Sequence, residues 1–175
     1  YAVTPALRDN AAIHAAWGRK LAATAYDERF VPFVQKRAVT LGMGMTEKQG
    51  GTDVRANMTR AERTSDGYRI TGRKFYATGA LYAQRIPTSV VDDNGIQHLA
   101  FVRRDSDGLS VIDDWSGFGQ RTTGSGSVVF DNVLVAAQDV IPFQSAFERP
   151  TPVGPLAQIL HAAIDTGIAR AAFED

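Results

Sequence analysis

The chain has 175 residues, 44% hydrophobic and 22% charged, which suits one medium domain or parts of two. Nineteen basic residues balance nineteen acidic ones, so no global field recruits nucleic acid or an anionic membrane. Cysteine is absent, excluding disulfides, thiolate catalysis and zinc–thiolate centres, and His14, His98 and His161 lie too far apart to suggest a metal site. No apolar run approaches the roughly 18–20 residues of a membrane span. The N-terminus, Tyr1-Ala-Val-Thr-Pro, lacks both an initiator Met and a signal-peptide pattern. A segment of a longer, cytoplasmic protein is expected.

In chain order, Thr4-Pro5 predicts a helix start, a hydroxyl N-cap followed by proline at the first helical position. Leu7, Ala11, Trp17, Leu21 and Ala25 carry the helical spacing to about Tyr26. From Ala38 the texture turns to β. Runs rich in Val, Ile, Thr and aromatics alternate with Asp66-Gly67, Asn94-Gly95, Asp107-Gly108 and Asp131-Asn132, which read as turns. Strands are predicted near 39–46, 54–63, 68–77, 86–92, 97–103, 109–113 and 126–135. Tight turns between them predict antiparallel pairing in a barrel or sandwich. Pro142, Pro150, Pro152 and Pro155 mark 141–155 as a connector. Beyond it, Leu156, Ile159, Leu160, Ala163, Ile164 and Ile168 recur at helical spacing.

Two runs carry the chemistry. Residues 42–53, Gly-Met-Gly-Met-Thr-Glu-Lys-Gln-Gly-Gly-Thr-Asp, end a β-like stretch in a hydroxyl, a carboxylate and paired glycines. That set presents backbone N–H groups and one Oγ to an anionic or electron-rich planar ligand. The second run, Phe118-Gly-Gln-Arg-Thr-Thr-Gly-Ser-Gly-Ser-Val-Val-Phe-Asp-Asn-Val-Leu-Val135, follows some way on. Read without each other, they are ordinary. Tyr76 would be a half-buried core aromatic, Thr46 and Thr78 β-formers, Gly50-Gly51 a turn, and Arg121 a surface charge or a loop anchor.

On these runs the chain resembles the acyl-CoA dehydrogenase superfamily of flavoproteins. Gly44 to Asp53 matches the family's flavin-proximal signature at every position, and Gly119-Gln-Arg121 through Val135 matches its later run. The resemblance implies an α+β fold with an antiparallel β-barrel middle domain at 38–140. Before it would come the end of an N-terminal helical domain, 1–37; after it, a linker and the first helix of a C-terminal helical domain, 141–175. It implies FAD, or alternatively FMN, as cofactor. Met43, Met45 and Thr46 would line the isoalloxazine, with backbone N–H and Thr46 Oγ facing its acceptors. Gly51 and Thr52 would approach ligand phosphate. Lys74-Phe75-Tyr76-Ala77-Thr78 would supply the next contact, Tyr76 against the ring and Thr78, the candidate catalytic residue, near N5. Donors placed there in advance stabilise the charge that reduction puts into the ring. Glu47 and Asp53 are expected to hold the loop by accepting backbone N–H bonds.

The activity so implied is oxidation of an acyl-CoA-like substrate by hydride transfer to flavin N5. Two alternatives stand beside it: a reduced-flavin-dependent monooxygenase acting on an organosulfur compound, and a DNA-shielding flavoprotein of the alkylation-response (AidB) type. The text up to about Arg63 resembles the alkylation-response branch, and the text from Gly72 onward resembles the sulfur-compound monooxygenases. A dehydrogenase needs a carboxylate base; residues 149–164 contain no Asp or Glu, which speaks against a base at the start of the last helix and leaves one farther downstream open. A monooxygenase needs a hydroxyl or imidazole near N5, which Thr78 supplies. DNA shielding would use Arg55, Arg60 and Arg63, although a solvated strand face is the better account of them. A small-molecule substrate and a homo-oligomer, tetramer or dimer, are expected.

Overall fold

Strand β2 (Gly67–Lys74) shows how the pattern becomes a sheet, with Tyr68, Ile70 and Lys74 turned inward and Arg69, Thr71 and Arg73 outward. The structure, a computed structural model, describes residues 7–8, 10–29, 31–143, 150 and 152–174. Around β2 stand β1 (Arg60–Thr64), β3 (Arg85–Asp92), β4 (Gln97–Arg103), β5 (Leu109–Ile112), β6 (Ser127–Val135) and β7 (Val140–Pro142). They form one seven-stranded sheet in the order β5-β6-β2-β1-β3-β4-β7.

The expected antiparallel barrel is corrected in two respects. Strands β1 and β3 run parallel, pairing Arg60 with Val91 and Ala61 with Asp92. Strands β5 and β7 end the ladder without pairing to each other, so the sheet is mixed and open. The cause is the passage from β2 to β3, which crosses β1 and sets β3 down on its far side in the same direction. Turn dipeptides report hairpins and are silent about such a crossing.

Local departures have equally local causes. Residues 39–46 form no strand; they make only two isolated bridges, Gly44 to Thr88 and Thr46 to Phe75. Residues Gly51–Ala56 coil into a 3-10 turn, so β1 begins only at Arg60. Asp131-Asn132 is no turn. It is a bulge inside β6, where Ile70 pairs with Val133 but Gly72 with Phe130, and Asn132 takes φ 56°. Strand β7 lies in the stretch read as connector.

Helix α1 (Ala11–Leu21) is capped by Asn10, whose side chain accepts from Ile13 N–H at 3.1 Å. The predicted start at Thr4-Pro5 lies outside the described residues, and Ala25 lies beyond the helix end. Helix α2 (Val153–Glu174) starts before the predicted Leu156, because Pro155 in its first turn needs no amide donor. Its described side chains are all exposed.

Two cores share β4. Ala100 and Val102 join Ile70, Ile86, Val90, Phe130 and Val133, whereas Leu99 and Phe101 face Ile13, Trp17 and Ile141. Buried on both faces, β4 reads as an unbroken apolar run. Each such aliphatic side chain contributes about 1.5–3 kcal/mol.

Candidate functional site

Residues 42–46 are stapled between β3 and the chain leaving β2. Gly42 N–H donates to Arg85 O at 3.2 Å and Gly44 N–H to Pro87 O at 2.9 Å, while Ser89 N–H reaches Gly44 O at 3.1 Å. From the other side, Met43 N–H donates to Thr78 O at 3.0 Å and Phe75 N–H to Thr46 O at 2.8 Å. Gly42 is required here, since a Cβ on it would stand 2.7 Å from Ala80 Cα. The Met43 amide is thereby committed to the protein.

The two runs flanking this seam bring most of the expected residues together. Met43 is 50% exposed and Tyr76 60% exposed. Tyr76 adopts φ 53° and meets Trp115 edge-on, with ring centroids 6.3 Å apart and planes at 88°. Thr78 follows on the same exit, opposite Met43. Thr46 lies opposite Phe75, three residue steps along the seam from Thr78. A Cβ on Gly51 would lie 3.4 Å from Thr46 Oγ1, so that hydroxyl faces bare backbone. Neither Thr46 nor exposed Thr52 makes a side-chain hydrogen bond among the described residues. Met45 is set apart, packed against the cluster of Trp17, Leu99 and Phe101.

A hydroxyl chain runs inward from Thr78. Its Oγ1 lies 2.9 Å from Ser125 Oγ, Ser125 Oγ lies 2.6 Å from Thr123 Oγ1, and Thr123 Oγ1 donates to Gln120 O at 3.0 Å. Trp115 Nε1 donates to that same carbonyl at 2.9 Å. Sequence reasoning gave none of Trp115, Gln120, Thr123 and Ser125 a role, although the last three lie in the second run. The signal available was the run of hydroxyls before a strand whose apolar phase begins at Val128. Arg121, read as a surface charge or a loop anchor, is exposed.

Beneath the loop lies a buried ion pair, also unforeseen. Lys74 Nζ is 2.8 Å from Glu47 Oε1 and 3.2 Å from Ser89 Oγ. Glu47 further accepts from Met58 N–H at 2.7 Å, Thr59 N–H at 2.8 Å and Thr59 Oγ1 at 2.7 Å. Asn57 Nδ2 ties Met45 O at 2.6 Å to Ser89 Oγ at 2.9 Å. Burial works to raise the Glu47 carboxyl, but hydrogen bonds from Lys74, Thr59 and Met58 hold it below its ordinary value. Burial pushes the Lys74 ammonium down, and Glu47 offsets only part of that. Glu47 thus holds the loop as expected. Asp53 does not: it is exposed, and no hydrogen bond of its side chain occurs among the described residues. The clue to Lys74 was its place in the inward phase of β2, where a cation demands a carboxylate.

A cavity of about 920 Å³ lies elsewhere, lined by Trp17 and by parts of residues 26–40, 81–85 and 103–105. Three of its arginines are already paired, Arg29 with Asp27, Arg85 with Asp139 and Arg103 with Asp105. Among the described residues no cluster of three or more His, Asp or Glu could hold a metal ion. No helix among them is long and apolar enough to cross a membrane.

An open mixed sheet carries a pinned glycine-rich loop beside an exposed aromatic and an anchored hydroxyl. Residues 42–133 match the middle domain of acyl-CoA dehydrogenases, and the chain belongs to that family. AidB of Escherichia coli (strain K12) is 52% identical over 61 residues, covering 34% of this chain and 11% of that protein. Dibenzothiophene monooxygenase of Rhodococcus erythropolis is 33% identical over 128 residues, covering 66% of this chain and 31% of that enzyme. FMN-bound TdsC from Paenibacillus sp. A11-2 superposes with a TM-score of 0.54 at 30% identity, covering 62% of this chain and 28% of that one. The chain therefore spans about a tenth to a third of the length of these proteins.

Proposed function

We propose that the chain is the flavin-contacting part of an oxidoreductase, and that the whole protein is a reduced-flavin-dependent monooxygenase acting on an organosulfur compound. The observation that carries this is the Thr78 hydroxyl, held 2.9 Å from buried Ser125 beside a Tyr76 ring that is 60% exposed. A planar heterocycle with polar edges needs that pairing of a flat apolar face and fixed hydroxyls. Thr46 and Thr78, on the two segments that the seam joins, would offer hydroxyls to the polar edges of such a ring. Met43, Thr46, Gly51, Thr52, Tyr76 and Thr78 would hold the cofactor, and Met45 would brace the loop from the core side. When bound, the reduced ring supplies two electrons to dioxygen, so that one oxygen atom passes to sulfur and the other leaves as water. The chain's part is to orient the ring and to hold a hydroxyl at its edge.

Similarity to a dibenzothiophene monooxygenase and to FMN-bound TdsC supports this choice of chemistry, and FMN as cofactor. Family membership supports the dehydrogenase reading with FAD. That reading needs a carboxylate base, and Glu47, the one nearest the seam, is held by Lys74, Thr59 and Met58 N–H. Its base would have to come from another part of the protein. DNA shielding gains little support: Arg63 Nη1 donates to Tyr68 OH at 2.9 Å, and Glu62 stands between Arg60 and Arg63. The domain division at residues 37 and 140, and assembly into a homo-oligomer, belong to the same proposal.

In the test, FMN-loaded protein is reduced under anaerobic conditions and then mixed with labelled dioxygen and an aryl sulfide. Label in the sulfoxide supports the monooxygenase. Bleaching of oxidised flavin by an acyl thioester would replace it with the dehydrogenase, and a protein that ignores both FMN and FAD would refute either.

A further inference from the structure

We infer that Thr123 and Ser125 are positioning residues that set the direction of the Thr78 hydroxyl, so that Thr78 meets a ligand as a hydrogen-bond acceptor. The Thr123 hydroxyl donates to the Gln120 carbonyl at 3.0 Å, beside the Thr123 N–H at 3.2 Å and the Trp115 Nε1–H at 2.9 Å on the same oxygen. Two oxygens 2.6 Å apart require a hydrogen between them, and with Thr123 already committed, Ser125 supplies it. The 2.9 Å contact between Ser125 and Thr78 is then bridged by the Thr78 hydrogen. Thr78 Oγ1 is left with lone pairs toward the open side.

The opposite direction is the weaker one. It would send the Thr78 hydrogen to Tyr76 O at 3.4 Å, longer than the 3.0 Å terminus it gives up. Ser125 is buried, so water does not compete for its hydroxyl. Gln120 is fixed at φ 47°, and its carbonyl also holds the Trp115 indole whose ring meets Tyr76. One carbonyl therefore orients both the hydroxyl and the aromatic partner of the presented face.

An acceptor at Thr78 discriminates between redox states of a flavin, and to that extent the inference rests on the reading above. An oxidised isoalloxazine offers only a lone pair at N5, whereas the reduced ring carries N5–H. The hydroxyl chain therefore favours binding of the reduced ring.

Oxidised FMN, and reduced FMN under anaerobic conditions, are titrated into the full chain and into its Ser125→Ala, Thr123→Val and Thr123→Ser variants. Ser125→Ala and Thr123→Val each release the Thr78 hydrogen. The ratio of reduced to oxidised Kd should shift about tenfold toward the oxidised ring, about 30 mV more negative in midpoint potential for a two-electron couple. Thr123→Ser keeps the hydroxyl and should keep the wild-type ratio. The double variant should shift no further than either single one. Thr123 is only half buried and valine matches its shape, so that variant decides the matter if Ser125→Ala fails to fold. An unchanged ratio, or equal weakening of both redox forms, overturns the inference while leaving flavin binding intact. A wild-type chain that binds neither form overturns it together with the functional proposal.

Discussion

Lys74 Nζ lies 2.8 Å from Glu47 Oε1, with the lysine side chain 0% exposed, and this pair fastens the site loop to the end of β2. Removing one partner leaves a buried charge without compensation, which costs far more than the pair gains. Glu47→Gln should lower the unfolding free energy by about 3 kcal/mol, read by urea denaturation. Lys74→Met added to Glu47→Gln should recover much of that loss. Additive losses would show that the two side chains act independently.

The same carboxyl sets an acid limit. Its folded value lies below the ordinary 4.5, so its contribution is fully present above that value and is lost as pH falls through the folded one. Stability measured against pH should therefore decline below about pH 4.5 more steeply in the wild type than in Glu47→Gln. Parallel declines would assign the acid limit to other carboxylates.

Gly42→Ala tests the seam directly. The new methyl would stand 2.7 Å from Ala80 Cα and 2.9 Å from Ala80 N, backbone atoms that cannot rotate away. A loss of about 1–3 kcal/mol is expected. It should be accompanied by faster hydrogen exchange of the Met43 amide, whose acceptor is Thr78 O. Unaltered stability and protection would mean that the seam yields at no cost.

Flavin affinity tests the exposed face. Thr46→Val should raise the Kd for FMN about fivefold, the value of one hydrogen bond near 1 kcal/mol. Tyr76→Ala should raise it about tenfold by removing the flat contact surface. Fluorescence titration reads both. Wild-type affinity in the two variants would place the ring elsewhere.

Much of the site was legible before folding because its chemistry is local. Gly42 to Asp53 and Lys74 to Thr78 are contiguous words, and the hydrogen bonds from Met43 N–H to Thr78 O and from Phe75 N–H to Thr46 O join those two words directly. What contiguous words lack is the third partner. Ser125 reaches Thr78 across 47 positions, and Ser89 meets Lys74 across 15 in a buried network.

The amino-acid sequence alone determined the β texture between the helices, the strand phases, and family membership through two matched runs, because alternation and turn chemistry act between near neighbours. Tertiary structure alone decided that β1 and β3 run parallel, that Asp131-Asn132 bulges inside a strand, and that residues 42–46 thread between β3 and the exit of β2. It also decided which side chains lost their water. Lys74 and Ser125 acquired their parts from desolvation beside distant partners, and desolvation depends on how the whole chain packs.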